Sequence, residues 1–232
     1  MNSTAKPEKQ DSATKAVKSR RKSTRKSPAR KRAKAVKASS QGRGSERRKA
    51  IIWALRSCMI KKGYAKTTLA DVAEVAELYP SHLLYYFDGK DEILQQFFQN
   101  VAAQIVQRLE SFQVETPRRQ IDLLVDLFFA GTSITKSEIG LMLECFGIAV
   151  NDRALRYEKE KLDAKCKVYL EALLEQTPCG FLPGARDSAE VAYATLIGLR
   201  AAIYFDNGFE LDDGKRLFHA AMLRIAGLEP EQ

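Results

Sequence analysis

The stretch Thr67–Lys90, which reads TTLADVAEVAELYPSHLLYYFDGK, constrains the fold of this 232-residue chain more than any other segment. It contains two short helical patterns, which a turn at residues 77–79 separates. Thr68 and Asp71 fit a capping box, and this predicts that the first helix starts there. The apolar residues that follow share the spacing of one helical face: Leu69, Val72, Ala73 and Ala76.

The second pattern starts at Pro80, which suits the first position of a helix because a missing N–H costs nothing there. The residues after it separate onto two sides. The side expected to pack inward carries Leu83, Leu84 and Phe87, and the side expected to face outward carries Ser81, His82, Tyr85 and Tyr86. A helix that enters the major groove of DNA needs hydrogen-bonding side chains facing outward near its N-terminal half. The stretch is therefore predicted to be a DNA-reading helix-turn-helix.

A longer helical pattern precedes this stretch and completes a three-helix unit over residues 45–90. Ser45 can cap the start of this helix, and Gly63 can end it. Between them, one continuous apolar stripe recurs at helical spacing: Ala50, Ile51, Ala54, Leu55, Cys58 and Met59. Three cations, Arg47, Arg48 and Lys49, stand at the start of the helix.

Residues 1–44 differ from the rest of the chain in charge. They hold 15 Lys or Arg against 2 Asp or Glu, a net of +13. From totals of 38 and 29, this leaves 23 against 27, so residues 45–232 sum to −4. The segment has almost nothing large and apolar beyond Val17 and Val36, so it cannot bury enough surface to fold alone. We predict a disordered basic tail.

Several interpretations fit this tail. The blocks Arg20-Arg21-Lys22 and Arg30-Lys31-Arg32 suit non-specific neutralisation of DNA phosphates, which is the interpretation we favour. A charged tail that only aids solubility is a serious competitor. A membrane arm usually works beside an anchor or an amphipathic helix, and a mitochondrial transit peptide needs an apolar helical face. The sequence offers none of these.

Residues 91–232 show no alternation of the kind that strands have, so the whole chain is predicted to be all-α. A long helix starts at Asp91 and ends near Pro117. Turn signals then separate further helices, which are expected over residues 118–131, 136–150, 154–176, 187–206 and 212–226. The helix at 187–206 is apolar on nearly every side except at Arg200, so it is expected to be buried all round.

The run from Lys61 to Leu94 resembles the N-terminal domain of the TetR family of bacterial transcriptional regulators. The resemblance depends on the joint order and spacing of short elements over about one-fifth of the chain. Glu77 stands where the family commonly has Gly in the turn, and Leu84 stands where it commonly has Tyr. The matching elements are Gly63-Tyr64, Thr67-Thr68, Asp71-Val72-Ala73, Ala76, Leu83, Tyr86-Phe87, Lys90 and Leu94.

The resemblance implies which residues contact DNA. The predicted DNA-binding set is Thr67, Thr68, Tyr79, Pro80, Ser81, His82, Tyr85, Tyr86 and Lys90. Within it, Pro80, Ser81 and His82 would approach the bases. The two threonines, the lysine and one or both of the tyrosines at 85 and 86 would hold phosphates. Outside this motif, a histidine such as His82 would be interpreted as an ordinary surface residue.

In this family the final two long helices form a dimer interface, so the resemblance implies a homodimer through the helices at about 187–206 and 212–226. A central helix in a monomeric bundle is the alternative. Family members often enclose a ligand pocket in the middle helices, which here would suit an apolar or aromatic small-molecule effector. The candidate lining residues are Phe128, Phe129, Met142, Phe146 and Tyr169. Spacing of this kind also fits plain core packing.

These observations favour three parts: a tail at 1–44, a helix-turn-helix domain at 45–90, and a helical ligand-binding and dimerisation domain at 91–232. The leading hypothesis is a homodimeric repressor that an effector releases from a palindromic operator on double-stranded DNA. The alternative is an architectural nucleoid protein that acts mainly through its tail.

The sequence gives little support to an enzyme. It has no Gly-rich phosphate loop and no set of histidine, carboxylate and nucleophile. Its four cysteines and two histidines form no metal-ligand pattern, so no metal or other cofactor is expected. No secretory signal and no membrane span are predicted, and the expected location is the cytoplasm, on the nucleoid.

Overall fold

A computed structural model describes residues 28–130, 134–179 and 184–229, and of residues 28–43 only the backbone. The chain divides into two units, residues 1–43 and residues 44–232. The described residues form nine helices and no strand, which confirms the predicted all-α class. Among these helices, none has the length and apolar composition that crossing a membrane requires. The disorder predicted for residues 1–27 concerns a segment outside the described residues.

The first three helices are α1 (Pro28–Lys62), α2 (Leu69–Val75) and α3 (Pro80–Leu83). Helix α1 starts at Pro28, whereas the sequence predicts disorder up to residue 44 and a start at Ser45. The intervening residues are rich in Ala, Lys and Arg, which are strong helix formers. The glycines at 42 and 44 oppose a helix by only about 1 kcal/mol each relative to alanine.

Residues 45–90, which we call the head, have a continuous apolar core. Helix α1 contributes the predicted stripe, and α2 and α3 contribute the sides of their helices that face it. The buried members are Ile51, Ala54, Leu55, Cys58, Met59, Val72, Ala73, Ala76, Leu83 and Phe87. Because α2 and α3 themselves supply only three of these side chains, their position depends on the longer α1 beside them.

The remaining six helices form what we call the body, residues 91–229. They are α4 (Lys90–Phe112), α5 (Pro117–Phe129), α6 (Lys136–Ala149), α7 (Arg153–Leu174), α8 (Ala185–Phe205) and α9 (Leu211–Ala226). Their bounds agree with the predicted helices to within a few residues. Helix α4 packs against α7 and α5, while α8 packs against α6, α7 and α9. Since α4 begins at Lys90, it continues directly from the head into the body.

Helix α8 is not buried all round in the single chain, contrary to the prediction. Ala192, Leu196 and Ile203 are buried against the body. On the other side Gly198 is exposed, and Phe205 keeps 74% of its surface in solvent. The neighbouring helices α6, α7 and α9 cover one side only, so an apolar face remains uncovered.

Arg200 is the polar exception on α8, and its guanidinium is directed into the body. It donates a hydrogen bond of 2.6 Å to the carbonyl oxygen of Phe128, at the end of α5. The last carbonyls of a helix lack partners within the helix and carry partial negative charge, so a cation there is stabilising. Burial lowers the pKa of Arg200 to about 10. Arg200 therefore links α8 to α5.

Candidate nucleic-acid interface

The start of α2 is fixed by the capping box that the sequence predicts. The Thr68 hydroxyl accepts a hydrogen bond from the Asp71 backbone N–H at 3.2 Å, and the Asp71 carboxylate accepts from the Thr68 N–H at 2.6 Å. Lys62, at the end of α1, lies 2.7 Å from the same carboxylate. Hydrogen bonds from Lys62 and Thr68 hold the pKa of Asp71 well below its usual range. The cap thus orients α2 and also connects it to α1.

The turn between α2 and α3 places a non-glycine residue in the left-handed region. Glu77 has a φ of 55°, at the position where the TetR resemblance leads one to expect glycine. Hydrogen bonds on both sides enclose it, from the Glu77 N–H to the Glu74 carbonyl and from the Leu78 N–H to the Ala73 carbonyl. The surrounding contacts therefore hold a conformation that costs an L-residue roughly 1–2 kcal/mol.

Helix α3 is a single turn with Pro80 at its first positions, as predicted. Hydrogen bonds from the Leu84 N–H to the Pro80 carbonyl and from the Phe87 N–H to the Leu83 carbonyl continue the winding beyond it. Leu83 and Phe87 are fully buried, whereas Ser81 and His82 are exposed. The residues that were predicted to approach bases therefore lie on the solvent side of α3.

The candidate tyrosines differ in exposure. Tyr79 is 75% exposed and its ring meets that of His82 edge-on, with the centroids 5.8 Å apart. Tyr85 is 84% exposed and meets the ring of Tyr86 edge-on at 5.2 Å. Tyr86 is itself half-buried against the core. Tyr79 and Tyr85 therefore border the exposed side of α3 at its two ends.

The prediction that Leu84 packs inward with its neighbours is wrong, because 51% of this residue is exposed. Leu83 and Phe87 are four residues apart and share one helical face, and the residue after Leu83 is rotated by about 100° from that face. Leu84 therefore adds an apolar side chain to the solvent side of residues 80–87, which we call the reading unit.

Two residues of the predicted DNA-binding set form hydrogen bonds inside the head. Thr67 is buried, and its hydroxyl donates to the Gly63 carbonyl at 2.7 Å. The Lys90 ammonium donates to the carbonyls of Tyr64 and Thr67 at 2.9 and 2.8 Å, and it lies 4.0 Å from the centre of the Tyr64 ring. These contacts fasten the loop between α1 and α2 to the start of α4.

The same loop is held by the body, through contacts that no local sequence pattern indicates. The Tyr64 N–H donates to the Glu144 carboxylate on α6 at 2.6 Å. The Tyr64 hydroxyl is hydrogen-bonded to Asp91, and burial together with that carboxylate raises the pKa of Tyr64. Near the N-terminus of α6, Glu138 forms an ion pair with Arg56 of α1. Helix α6 thus contacts the head at two points.

The five candidate effector residues lie in the packed body. Phe129 stacks on Phe218 with centroids 5.2 Å apart, and the Tyr169 hydroxyl donates to the Gln120 side chain at 2.8 Å. The ring of Phe146 lies 6.3 Å from that of Phe98, while Phe128 and Met142 are half-buried at the edge of the core.

None of these five lines either of two open grooves in the described part of the chain. A groove of about 390 Å³ between α5 and α9 has a largely charged lining: Asp122, Val125, Asp126, Asp212, Lys215, Arg216 and His219. A larger groove of about 960 Å³ adjoins the reading unit. Among residues 44–130, 134–179 and 184–229, no group of three or more metal-ligating side chains is placed to hold a metal ion.

Comparison with known proteins finds a family match in the head and a fold match over most of the chain. The profile of the bacterial regulatory proteins of the tetR family matches residues 51–97. A transcriptional regulator from Rhodococcus sp. Rha1 superposes with a TM-score of 0.69 at 17% identity, over 79% of this chain and 99% of that one. A TetR transcription regulator from Haloarcula marismortui gives a TM-score of 0.69 at 16% identity, over 79% and 98%. A comparison with curated protein sequences gives no match.

A putative regulator from Saccharomonospora viridis, in complex with choline, is also similar in fold. Its TM-score is 0.65 at 15% identity, over 76% of this chain and 95% of that one. The helical body and the helix-turn-helix head thus share the fold of these transcriptional regulators. The head supplies the family match: residues 51–97 match the tetR family, and a TetR transcription regulator shares the fold of the chain. The resemblance seen in the sequence is confirmed.

The strained turn gives a stability prediction. Replacing Glu77 by glycine should raise the free energy of unfolding by about 1 kcal/mol, because glycine adopts a positive φ without a steric cost. Urea unfolding followed by circular dichroism measures the change. The matched control is Glu74→Gly, in the right-handed helix three residues earlier, which should lower the free energy by about 1 kcal/mol. A loss of stability in both variants would contradict strain at Glu77.

Proposed function

We propose that the protein is a homodimeric repressor that binds a palindromic operator and leaves it when a small apolar or aromatic effector binds in the body. The observation that carries the proposal is the arrangement of α3. The inner side chains of α3 and of the turn after it, Leu83 and Phe87, are fully buried, while Ser81 and His82 face solvent. Side chains held in this way can reach base edges in a major groove without disturbing the core.

The DNA-contacting residues divide into two groups under this proposal. The bases are approached by Pro80, Ser81 and His82. The phosphates are contacted by the exposed residues beside them, Thr68, Tyr79 and Tyr85. Thr67 shapes the loop from inside. Lys90 has one N–H left after its two carbonyl contacts, and we assign that donor to a phosphate. Phosphate contacts set the register of the protein on DNA, and base contacts carry the sequence preference.

The uncovered face of α8 supports the homodimer. Val191 and Phe205 of α8 and Leu217 of α9 are exposed large apolar residues. Between them, Ala194 and Gly198 are also exposed, and such small residues let a second helix approach closely. A second copy of the same face would cover this surface by two-fold symmetry. Two heads would then read two half-sites of a palindrome.

Helix α6 is the route that we assign to effector release. It carries Met142 and Phe146, which are candidate effector contacts, and also Glu138 and Glu144, which hold the head. A ligand that displaces α6 therefore displaces both links to α1 and to the loop after it. The choline complex of the S. viridis regulator supports a small-molecule site in this fold. As a DNA-bound regulator, the protein is expected in the cytoplasm, on the nucleoid.

Selection of bound duplexes from random DNA tests the proposal, with the 232-residue chain and with residues 45–232. The full-length protein should select inverted half-sites. Deleting the +13 tail should reduce the salt dependence of binding and leave the selected site unchanged. Loss of all sequence preference on deletion would contradict the repressor and favour the architectural protein, which the charge of the tail supports.

Within the selected site, His82→Ala should change the preference at one base step of each half-site. A lost base contact costs about 1–3 kcal/mol of discrimination at that position. The comparison variant is Lys90→Ala, which should weaken binding to every sequence alike. Repeating the selection with both variants measures this. Equal losses that ignore sequence in both would exclude base reading by His82.

The dimer gives a prediction at Gly198. Gly198→Glu should convert the homodimer into a monomer of 26.0 kDa, because the partner helix would have to bury an unpaired carboxylate. Sedimentation equilibrium measures the mass. The matched control is Gly147→Glu on the exposed side of α6, which has open space around it and should leave the dimer intact. A monomeric wild-type protein would contradict the proposed interface.

The link through α6 gives a prediction at Glu144. Glu144→Ala removes the acceptor for the Tyr64 N–H, so amide hydrogen exchange at Tyr64 should accelerate by about tenfold. Glu144→Gln keeps an acceptor oxygen and should restore part of the protection. Glu160→Ala, an exposed carboxylate on α7, serves as the control. Unchanged exchange in Glu144→Ala would show that α6 does not hold the loop.

A further inference from the structure

We propose that Arg48, at the N-terminal end of the described head, positions the reading unit by holding its C-terminal end. This inference rests on the DNA-reading role of α3, and it concerns how α3 is kept in place. Arg48 lies outside the set of residues that the sequence predicts to contact DNA. It acts through the backbone of Tyr86 and the ring of Phe87.

Arg48 makes two contacts with the segment after α3. One guanidinium nitrogen donates a hydrogen bond of 2.5 Å to the carbonyl oxygen of Tyr86. The guanidinium carbon lies 4.6 Å from the centre of the Phe87 ring. A planar guanidinium can lie over a ring and donate in its own plane at once, with a directional fork that the point charge of an ammonium lacks. The two contacts together fix the position of the group.

The reading unit needs such a contact because it is short. Helix α3 is one turn, and the winding that follows it ends at Phe87. The last carbonyls of a helical segment point away from it without intrahelical partners and carry partial negative charge. A cation that binds one of them stabilises the final turn. Tyr85, the most exposed of the candidate tyrosines, is the residue next to Tyr86.

An open groove lies beside this end of the reading unit, so apolar packing reaches it only from the side of Phe87. The groove has a volume of about 960 Å³ and separates the start of α1 in the head from α4. The α4 side of its lining consists of Gln96, Asn100, Ala103 and Gln104. Arg48 reaches across from α1 to Tyr86, so the reading unit is held at this end by a polar contact.

Removing a positioning residue and removing a phosphate contact change the affinities for specific and unrelated DNA differently. The duplex to use is the site selected from random DNA by the full-length protein, together with an unrelated duplex of equal length. For Arg48→Ala we expect about tenfold weaker binding to the selected site and less than about twofold weaker binding to the unrelated duplex. The dependence of binding on salt concentration should stay the same, because no phosphate contact is lost.

Three variants complete the experiment. Arg48→Lys keeps the charge and should not restore the loss, since an ammonium is a point charge without the planar fork that meets the ring and the carbonyl from one position. Arg47→Ala removes a neighbouring exposed charge. It should leave the ratio of the two affinities unchanged, whether or not it lowers the salt dependence of binding. Leu84→Ala, a truncation on the exposed side, shows whether any change in the reading unit produces the same pattern.

The outcomes separate the possibilities. Equal weakening on both duplexes with a reduced salt dependence, or rescue by Arg48→Lys, would overturn positioning in favour of a phosphate contact. No change in Arg48→Ala would also overturn it. A melting temperature that falls by many degrees in both Arg48 variants would show a general folding role and overturn the specific one. If the wild-type protein selects no site at all, the failure belongs to the proposed function and not to Arg48.

Discussion

The backbone amide of Tyr64 is the contact on which the placement of the reading unit depends. Its N–H is bound by Glu144 of α6, and its carbonyl is bound by Lys90 at the start of α4. One residue in the loop between α1 and α2 therefore meets both helices that join the head to the body. A loop residue in this position is constrained by polar contacts and not by apolar packing alone. The tilt of the head thus follows the positions of α4 and α6 together.

The reading unit itself is held at three places that differ in kind. Its inner side is anchored by apolar packing of Leu83 and Phe87. The turn before it contains Glu77, and the neighbouring hydrogen bonds maintain the positive φ of this residue. At its C-terminal end, Arg48 donates a hydrogen bond to the Tyr86 carbonyl. A single helical turn has too few side chains to define its own orientation, so contacts at both ends are required for a fixed reading face.

The sequence predicts the fold better than it predicts the contacts of the site. Periodic apolar stripes and turn residues locate the helices of the body within a few residues, because helix formation and burial are read from local spacing. The capping box at Thr68 and the unfavourable residue at Glu77 are also local. The pairing of Glu144 with Tyr64 joins residues 80 positions apart, and no local pattern carries such information. Leu84 was wrongly predicted to pack inward because a single helical turn has too few residues to show a clear apolar period.

The use of cations in the head has a consequence for affinity. Lys90 and Arg48 each bind backbone carbonyls and an aromatic ring, so much of their hydrogen-bonding capacity is directed at the protein. Lys62 is bound to Asp71 and Arg56 to Glu138. Four cations of the head therefore stabilise its geometry, and residues 45–232 sum to −4. Affinity for DNA grows with the number of phosphates that free cations neutralise. Under the proposed function, a head arranged in this way specifies a site while contributing little general attraction, and the +13 tail and the proposed second subunit would supply it.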